Sequence, residues 1–273
     1  MDAASGTDSV PTGVVDERYG DVSVVLEAGG VATVEIHRPP ANFFDVALIH
    51  SLAEAYAALG AGPTRAIVLC AEGRHFCAGA DFSGASSAEF LDVERAASLY
   101  AEAAKLFEVP VPVVAAVQGA AIGGGLGLAC SADFRVASAG SRFSANFARL
   151  GFHHGFGLSV TLPEIVGGQR AAELLYTGRR IGGEVAAAIG LADRLVPEGQ
   201  IREEARGLAG EIAGSAPLAV RSIKATLRGN LADRIREVTP REDGEQARLR
   251  TTEDFAEGLA ASAERRDPRF HGR

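Results

Sequence analysis

Apolar runs typical of β-strands alternate with helical stretches over the first two hundred residues of the chain. The helical period is clearest at 48–60 and 87–109, and the strand-like runs RAIVLCA (65–71), VPVVAAV (111–117) and DFRVAS (133–138) interleave with such stretches. Strands that are joined through helices pair in parallel. The alternation therefore predicts an α/β fold built on a largely parallel sheet.

The two ends of this alternating region have different patterns. DVSVVLEAGGVATVEIHRP (21–39) predicts a β-hairpin that turns at two glycines, whereas the pattern after about residue 200 is helical only. We therefore divide the chain into a core, residues 19–200, and a C-terminal helical segment, residues 201–273. Residues 1–18 are small and polar without periodicity, which predicts a disordered lead-in.

Composition and charge narrow the partners that we expect. The 273 residues carry a formal net charge of −8, and no basic stripe offsets it, so nucleic acid is not an expected partner. No apolar run approaches the roughly 18 residues of a membrane span, and the start shows no secretory pattern, so we expect a cytoplasmic protein without a membrane span. The cysteines, Cys70, Cys77 and Cys130, are odd in number and lack metal-ligand spacing, which argues against a disulfide framework and a metal site. We interpret Cys70 and Cys130 as small core residues; no spacing favours Cys77 as a nucleophile.

The stretch IGGGLGLAC places four glycines, at 123, 124, 125 and 127, directly after a strand-like run. Glycines at a helix start leave backbone N–H groups unpaired and let a ligand approach the main chain. The same residues would also allow close packing of helices. A phosphate loop is disfavoured because the run lacks a following Lys-Ser/Thr, and the spacing is not that of a dinucleotide fingerprint.

A second glycine-containing turn, GRHFCAGAD (73–81), follows the strand RAIVLCA. Ligands of open parallel sheets bind at the carboxyl ends of the strands, where both turns are expected. Two backbone N–H groups aimed at one oxygen would form an oxyanion hole there.

In combination, FCAGAD (76–81) and QGAAIGGGLGLACSADFRVAS (118–138) resemble the two signatures of the crotonase superfamily, the enoyl-CoA hydratase/isomerase family. The resemblance extends to HRPPAN (37–42), to LLYTGRRIGGEVAAAIGLADRLVP (174–197) and to EDFAEGLAASAERRDPRF (253–270). It therefore covers most of the chain.

The resemblance implies a crotonase-like spiral of ββα units with a C-terminal helical segment used in trimerisation. It further implies an acyl-CoA thioester as ligand, with coenzyme A as part of the substrate and no separate cofactor. The N–H groups of Ala80 and Gly124 would hold the thioester oxygen and stabilise an enolate-like anion. A homotrimer or a dimer of trimers is expected, and the apolar stripe that would be buried between subunits is Leu218, Val220, Ile223 and Leu227.

The two glutamates that the resemblance implies for a hydratase are absent from this sequence. The first belongs three residues after the oxyanion glycine, at Gly127, and the second belongs twenty residues further on, at Phe147. Addition of water requires a group that accepts a proton and a group that donates one. We therefore expect an acyl-CoA enzyme that is not an efficient hydratase, and keep as the alternative an acyl-CoA-binding protein without catalysis.

The replacement we favour is a histidine in RLGFHHGFG (149–157), a loop that the resemblance places at the acyl pocket. His154 is the candidate acid or base, because imidazole titrates near neutral pH. His153, Gly155 and Phe147 are candidate substrate-binding residues. The alternative is that the histidines cap a helix or lie at a subunit contact. His75, Asp45 and Asn146 are further polar candidates, which we interpret as structural.

The remaining substrate contacts follow from the resemblance. The residues that flank the oxyanion donors are Ala78, Asp81 and Gly123. The phosphates of coenzyme A need cations nearby, and Arg38, Arg265 and Arg266 are the candidates, with solvated surface charge as the alternative. Finally, we expect Gly124→Ala to fold but to lose acyl-CoA, because its methyl group would lie where the thioester approaches. We expect Gly127→Ala, one turn into the predicted helix, to be better tolerated, since helix propensity favours alanine over glycine.

Overall fold

A computed structural model describes residues 15–82 and 93–273. The strands in these ranges are β1 (Val15–Tyr19), β2 (Val22–Leu26), β3 (Val31–Ile36), β4 (Ala66–Ala71), β5 (Val113–Val117), β6 (Ala120–Ile122), β7 (Phe134–Ala137), β8 (Arg142–Ser144), β9 (Ile181–Gly182) and β10 (Arg194–Leu195). Seven of them form one sheet in the order β1-β2-β3-β4-β5-β7-β10, and β6-β8-β9 form a second sheet. The main sheet is antiparallel from β1 to β3 and parallel from β3 to β10. The parallel part confirms the prediction from the alternation, and the β2–β3 pair confirms the predicted hairpin.

The helices alternate with the strands in the core and then follow one another without strands. They are α1 (Val46–Ala61), α2 (Val93–Lys105), α3 (Gly124–Ser131), α4 (Leu158–Val166), α5 (Gly168–Thr177), α6 (Gly183–Ala188), α7 (Ile201–Ala213), α8 (Pro217–Arg228), α9 (Leu231–Leu249) and α10 (Glu253–Glu264). The prediction that the chain is helical only after about residue 200 is thus confirmed. Among the described residues, none of the helices is long and apolar enough to cross a membrane.

The central strands are apolar throughout because both faces of the sheet are covered. In β4, Val68 and Cys70 pack with Ala205 of α7, whereas Ile67 and Leu69 belong to the larger core on the opposite face. This explains why RAIVLCA is a continuous apolar run rather than an alternating one. Cys70, Cys77 and Cys130 are buried free thiols, as expected for Cys70 and Cys130.

The lead-in that we predicted over residues 1–18 is too long. Residues 1–14 lie outside the described residues, but residues 15–18 belong to strand β1, which pairs antiparallel with β2 from Val15 to Tyr19. The polar composition of DERY concealed this strand. An edge strand carries many polar side chains because one of its sides faces water.

The C-terminal segment is attached to the core by a cluster of charges and by close packing. Asp133 accepts hydrogen bonds from Lys224 Nζ and Arg228 Nε of α8, both at 2.8 Å, and from the backbone N–H of Val113. Helix α9 packs on α2 and α4, and α10 packs on the short 3₁₀ helix Asn146–Leu150. Through these contacts, α9 and α10 pack against the segments that follow the strands of the core.

Candidate active site

The two glycine-containing loops meet at one edge of the sheets, as expected. Cys77 N–H donates to the carbonyl of Ala120 at 2.9 Å, and Ile122 N–H donates to the carbonyl of Cys77 at 3.1 Å. The loop is held from the other side by Ala78 N–H, which donates to the carbonyl of Ala41 at 2.9 Å. Residues 76–81 therefore run beside β6 and reach the start of α3.

The glycines at the start of α3 are required for two different reasons. Gly123, the N-cap residue, has φ +58°, a left-handed value that side chains disfavour. At Gly125 a Cβ would lie 2.1 Å from the carbonyl oxygen of Cys77, so a side chain would push the two loops apart. The close approach of the loops depends on these glycines.

Gly124 faces the core. A Cβ on Gly124 would lie 2.1 Å from Cζ of the buried Phe44, and its φ is outside the left-handed region. Our expectation that a methyl group at this position would meet the thioester is therefore wrong, because the methyl would point at Phe44. The N–H group of Gly124 is therefore the part of this residue that we consider as a candidate ligand contact.

The N–H groups of Ala80 and Gly124 have no hydrogen-bond acceptor within residues 15–82 and 93–273. Ala80 and Gly123 line the same cavity of about 560 Å³. The structure also brings four other candidates to this cavity, namely Ala78, Asp81, Asn146 and Arg265. Its walls further include the apolar side chains of Phe43, Phe82, Leu150, Phe152 and Leu259. A polar oxygen placed between the loops would find unpaired donors beside an apolar wall.

Gly127 and Phe147, the two positions at which the resemblance implies glutamates, are surrounded by aromatic rings. A Cβ on Gly127 would lie 2.5 Å from Cβ of Phe156, and the Phe156 ring makes an edge contact with Phe44 at 5.9 Å between centroids. Phe147 is buried and packs edge-to-face on Phe152 at 5.5 Å. Neither position contributes an ionisable group to the site.

His154 and His153 stack on one another at 4.1 Å between ring centroids. His154 Nε2 lies 2.8 Å from Ser159 Oγ, and the His154 ring makes an edge contact with Phe147 at 6.5 Å. Burial, and secondarily the charge of His153, lowers the pKa of His154 to about 3. His154 is therefore neutral at physiological pH.

The 153–155 loop lies beside Phe147 rather than in the wall of the Ala80 cavity. Within the described part of the chain, that wall does not include His153, His154 or Gly155. Gly155 packs against α2 and α9, because a Cβ on it would lie 2.4 Å from Tyr100 Oη and 2.7 Å from Gln246 Nε2. The structure thus does not place Gly155 at the cavity where we expected it.

Of the three arginines expected near coenzyme A, only Arg265 lines the cavity. Arg38 is held between two carboxylates, Asp21 at 2.7 Å and Asp45 at 2.8 Å. Arg266 lines a neighbouring cavity and is paired with Glu257 and Glu264. Arg38 and Arg266 have structural partners, so their charge is already balanced.

The other polar candidates are structural, as we interpreted them, apart from Asn146 at the cavity. Asp45 caps α1 by accepting from Leu48 N–H at 2.8 Å, and His75 Nδ1 accepts from Ala120 N–H at 3.3 Å. Burial raises the pKa of the fully buried Cys77 thiol to about 12, which makes it unreactive. Among the described residues, no group of His, Cys, Asp and Glu is placed to hold a metal ion.

Sequence reasoning missed three polar residues behind the 153–157 loop: Tyr100, Glu242 and Gln246. Glu242 and Gln246 are fully buried although they lie in the strongly charged helix α9. Only their spacing of four residues, which puts them on one helix face, could have drawn attention to them.

Comparison with known proteins agrees with this architecture. The family model described as enoyl-CoA hydratase/isomerase matches residues 27–273. Carnitinyl-CoA dehydratase of Proteus mirabilis strain HI4320 is 35% identical over 257 residues, which cover 90% of this chain and 96% of that protein. The protein of the same name from Escherichia coli strain K12 is 32% identical over 251 residues, with 90% of this chain and 96% of that protein covered.

Solved structures give the same result. The enoyl-CoA hydratase/isomerase of Pseudoalteromonas atlantica T6c superposes with a TM-score of 0.80 at 28% identity, covering 92% of this chain and 100% of that one. An enoyl-CoA hydratase of Mycobacterium avium subsp. paratuberculosis K-10 superposes with a TM-score of 0.79 at 26% identity, covering 93% and 100%. The resemblance drawn from the two loops is confirmed, and the chain belongs to the enoyl-CoA hydratase/isomerase family of the crotonase superfamily.

Proposed function

We propose that this protein binds an acyl-CoA thioester between the 76–81 loop and the start of α3. The observation that carries the proposal is the pair of unpaired backbone donors, Ala80 N–H and Gly124 N–H, at two loops that meet beside one cavity. The thioester oxygen would accept from both donors. The cavity of about 560 Å³ would take part of the ligand, and Arg265 in its wall is the candidate cation for the phosphates.

The proposed chemistry is stabilisation of an enolate. When a bond at the α-carbon breaks, its electron pair moves toward the thioester oxygen, and preorganised N–H groups stabilise the growing negative charge. A single donor of this kind contributes about 10²–10³-fold in rate. The N-terminal end of α3 adds a partial positive charge at the same place.

We propose that the protein is not an efficient hydratase. The aromatic surroundings of Gly127 and Phe147 support this, because neither residue can move a proton to or from water or carbon. The curated relatives are named carnitinyl-CoA dehydratase, so a CoA thioester is the substrate class that we propose for this chain as well. Isomerisation, decarboxylation, hydrolysis and C–C bond chemistry all remain open to such a site.

A second candidate function is acyl-CoA binding without catalysis, which the same loss of carboxylates favours. Calorimetric titration with crotonyl-CoA, paired with a hydration assay, tests whether the protein binds an acyl-CoA thioester and whether it is an efficient hydratase. We expect binding together with a hydration rate well below the roughly 10 s⁻¹ that is ordinary for enzymes. A rate at that level would contradict our interpretation of Gly127 and Phe147. Turnover of any thioester in a panel of acyl-CoAs would exclude the non-catalytic alternative.

The oxyanion hole is tested by Ala80→Pro, which removes one donor because proline has no N–H. The preceding residue is Gly79, so the restriction that proline places on its neighbour is mild. We expect acyl-CoA binding or turnover to fall at least about tenfold, equivalent to about 1.4 kcal/mol.

Ala80→Ser is the matched control, since it changes the side chain and keeps the N–H group. It should stay close to wild type in binding. Circular dichroism and the melting temperature establish that both variants fold. Equal acyl-CoA affinity in wild type and a folded Ala80→Pro variant would remove the oxyanion hole from the proposal.

A further inference from the structure

Helix α10 is followed by an arginine in a backbone conformation that glycine usually provides. Arg265 has φ +56° and ψ 38°, in the left-handed region. The N–H of Arg266 donates to the carbonyl of Ala261 at 3.0 Å, and the N–H of Arg265 donates to the carbonyl of Ser262 at 3.3 Å. This pair of bonds is the Schellman motif, in which glycine or asparagine normally takes the left-handed position. An arginine is strained there, because its Cβ crowds the following carbonyl group.

The strained residue lies at the candidate site and carries a charge that is not balanced locally. Arg265 lines the Ala80 cavity. Within residues 15–82 and 93–273 its guanidinium forms no ion pair, whereas the neighbouring Arg266 is paired with both Glu257 and Glu264. Backbone strain that is retained at a ligand cavity points to a function for the residue that bears it. The unpaired cation is thus the feature that the strain preserves.

The chain reverses after Arg265 and runs back along α10, where Glu257 holds it. The carboxylate of Glu257 accepts two hydrogen bonds from the guanidinium of Arg266, at 2.5 Å and 2.9 Å. It also accepts the backbone N–H of Arg269 at 2.7 Å. A pair of parallel bonds between arginine and carboxylate fixes direction as well as distance. Glu257 therefore fixes the chain directly after Arg265.

The end of the tail is fixed one turn earlier on the same helix. Asp254 accepts the N–H groups of His271 at 2.6 Å and Gly272 at 2.8 Å. The helix itself packs closely on the core, since a Cβ on Gly258 would lie 2.4 Å from the carbonyl carbon of Leu150. With the helix held on one side and the tail on the other, the conformation of the residue between them is imposed from both directions.

We propose that Glu257 is a positioning residue: by clamping residues 266–272 onto α10, it keeps the strained Arg265 at the Ala80 cavity, where its guanidinium binds a phosphate group of the thioester carrier. A guanidinium suits this partner because its fork of N–H groups matches phosphate oxygens. The inference rests on the proposed acyl-CoA function. It adds that the fold-back of the C-terminal tail, through Glu257, sets the preference for a phosphate-bearing carrier.

Arg265→Gly tests the strain and the charge together. Calorimetry on the full-length protein compares crotonyl-CoA with crotonyl-pantetheine, which has no phosphate. Because glycine relaxes the left-handed position, we expect the melting temperature to rise by about 2 °C. We expect crotonyl-CoA affinity to fall about fivefold or more, with crotonyl-pantetheine affinity unchanged. A melting temperature no higher than that of wild type would remove the strain, and an unchanged affinity for crotonyl-CoA would remove the ligand contact.

Glu257→Ala tests the clamp, with Glu253→Ala as the matched control. Glu253 lies on the same helix and pairs with Arg273, but both side chains are about 70% exposed, so that pair contributes little. We expect Glu257→Ala alone to weaken crotonyl-CoA binding. The double variant Arg265→Gly/Glu257→Ala should bind no more weakly than Arg265→Gly, because Glu257 acts through Arg265. Additive losses, or an equal loss in Glu253→Ala, would overturn the assignment.

Hydrogen exchange of the tail tests the clamp in the ligand-free protein. We expect the amides of residues 266–273 to exchange faster in Glu257→Ala than in wild type or Glu253→Ala, and unchanged exchange would overturn the clamp. If wild type binds neither thioester, the acyl-CoA function itself fails and the ligand contact of Arg265 fails with it. If wild type binds both thioesters and no variant changes the preference between them, the acyl-CoA function stands and the role of Glu257 fails.

Discussion

The ring of Phe156 occupies the space beside Gly127. A Cβ on Gly127 would lie 2.5 Å from Cβ and 2.6 Å from Cγ of Phe156, the atoms nearest to the backbone of that residue. Phe156 itself has φ +62°, an uncommon value for a bulky residue, and it is fully buried. Its ring cannot move aside without a backbone shift.

We therefore predict that Gly127→Ala lowers the free energy of unfolding by about 1–3 kcal/mol, the usual cost of overpacking a core. This reverses the expectation from helix propensity, which favours alanine over glycine. The control is Gly207→Ala in α7, where no atom lies within 4 Å of the added Cβ. Urea denaturation should show a gain of up to about 1 kcal/mol for the control. A Gly127→Ala variant as stable as wild type would show that Phe156 is free to move.

Gly124 and Gly127 illustrate which features of the fold the sequence could predict. The strands, the helices and the two glycine-containing loops follow from local periodicity and from the conformational range of glycine, and the structure confirms their order. The meeting of the loops at one edge also follows, because parallel strands end on the same side. The partner of each glycine does not follow: Phe44 and Phe156 are far from Gly124 and Gly127 in the chain.

The partners and the burial of charged side chains are the other features that the sequence does not predict. Arg38 resembles a free cation in the sequence, but Asp21 and Asp45 come together around it only when the fold forms. Conversely, Glu242 lies in a helix of low hydrophobicity and has the pattern of a solvated residue, yet it is fully buried. Burial of a polar side chain depends on donors from distant segments, here the N-terminus of α4, and these leave no local signal.

The second prediction concerns the pH dependence of stability. An unfolded histidine titrates near pH 6.5, whereas burial lowers the pKa of His154 to about 3 in the folded protein. Between these two values the unfolded chain binds more protons at His154 than the folded protein does. The contribution of His154 to the free energy of unfolding is therefore complete above pH 6.5 and is lost as the pH falls. At pH 5.5 the loss amounts to about 1.4 kcal/mol.

His154→Gln removes the titrating group while keeping a side chain that can hydrogen-bond to Ser159. The difference in unfolding free energy between pH 7.5 and pH 5.5 should therefore shrink by about 1.4 kcal/mol in this variant. Urea titrations at the two pH values provide the measurement. An identical pH dependence in wild type and variant would mean that His154 keeps an ordinary pKa in the fold.

The third prediction concerns assembly. Leu218 and Leu227 of α8 are each 81% exposed and Ile223 is 57% exposed, beside a largely apolar groove of about 400 Å³. Large apolar side chains exposed together are typical of an interaction surface. We expect a homotrimer or a dimer of trimers that covers this surface, and light scattering after size exclusion measures the mass directly.

The double variant Leu218→Glu/Leu227→Glu should shift the mass toward the monomer. Gln200→Glu is the control for added charge at an exposed polar position. Wild-type protein that is monomeric at micromolar concentration would contradict the assembly. A trimer that the double variant leaves intact would place the interface elsewhere.

The last prediction returns to the start of α3. Gly124→Ala would place a methyl group 2.1 Å from Cζ and 2.3 Å from Cε1 of Phe44, which is itself buried. Either Phe44 or the first turn of α3 has to move. We expect the unfolding free energy to fall by about 1–3 kcal/mol, and acyl-CoA affinity to fall at least tenfold, or about 1.4 kcal/mol.

Phe44→Leu separates these two effects, because leucine is shorter and frees the space that the methyl group needs. The double variant Gly124→Ala/Phe44→Leu should lose less stability than the sum of its single variants, and this coupling is read from a double-mutant cycle. If the N–H of Gly124 binds the thioester, affinity should recover together with stability, since the methyl points away from the cavity and α3 can return to its position. Wild-type affinity in the Gly124→Ala single variant would show that the position of this N–H is irrelevant to the ligand. An affinity that stays low after stability has recovered would mean that Phe44 itself contributes to the pocket.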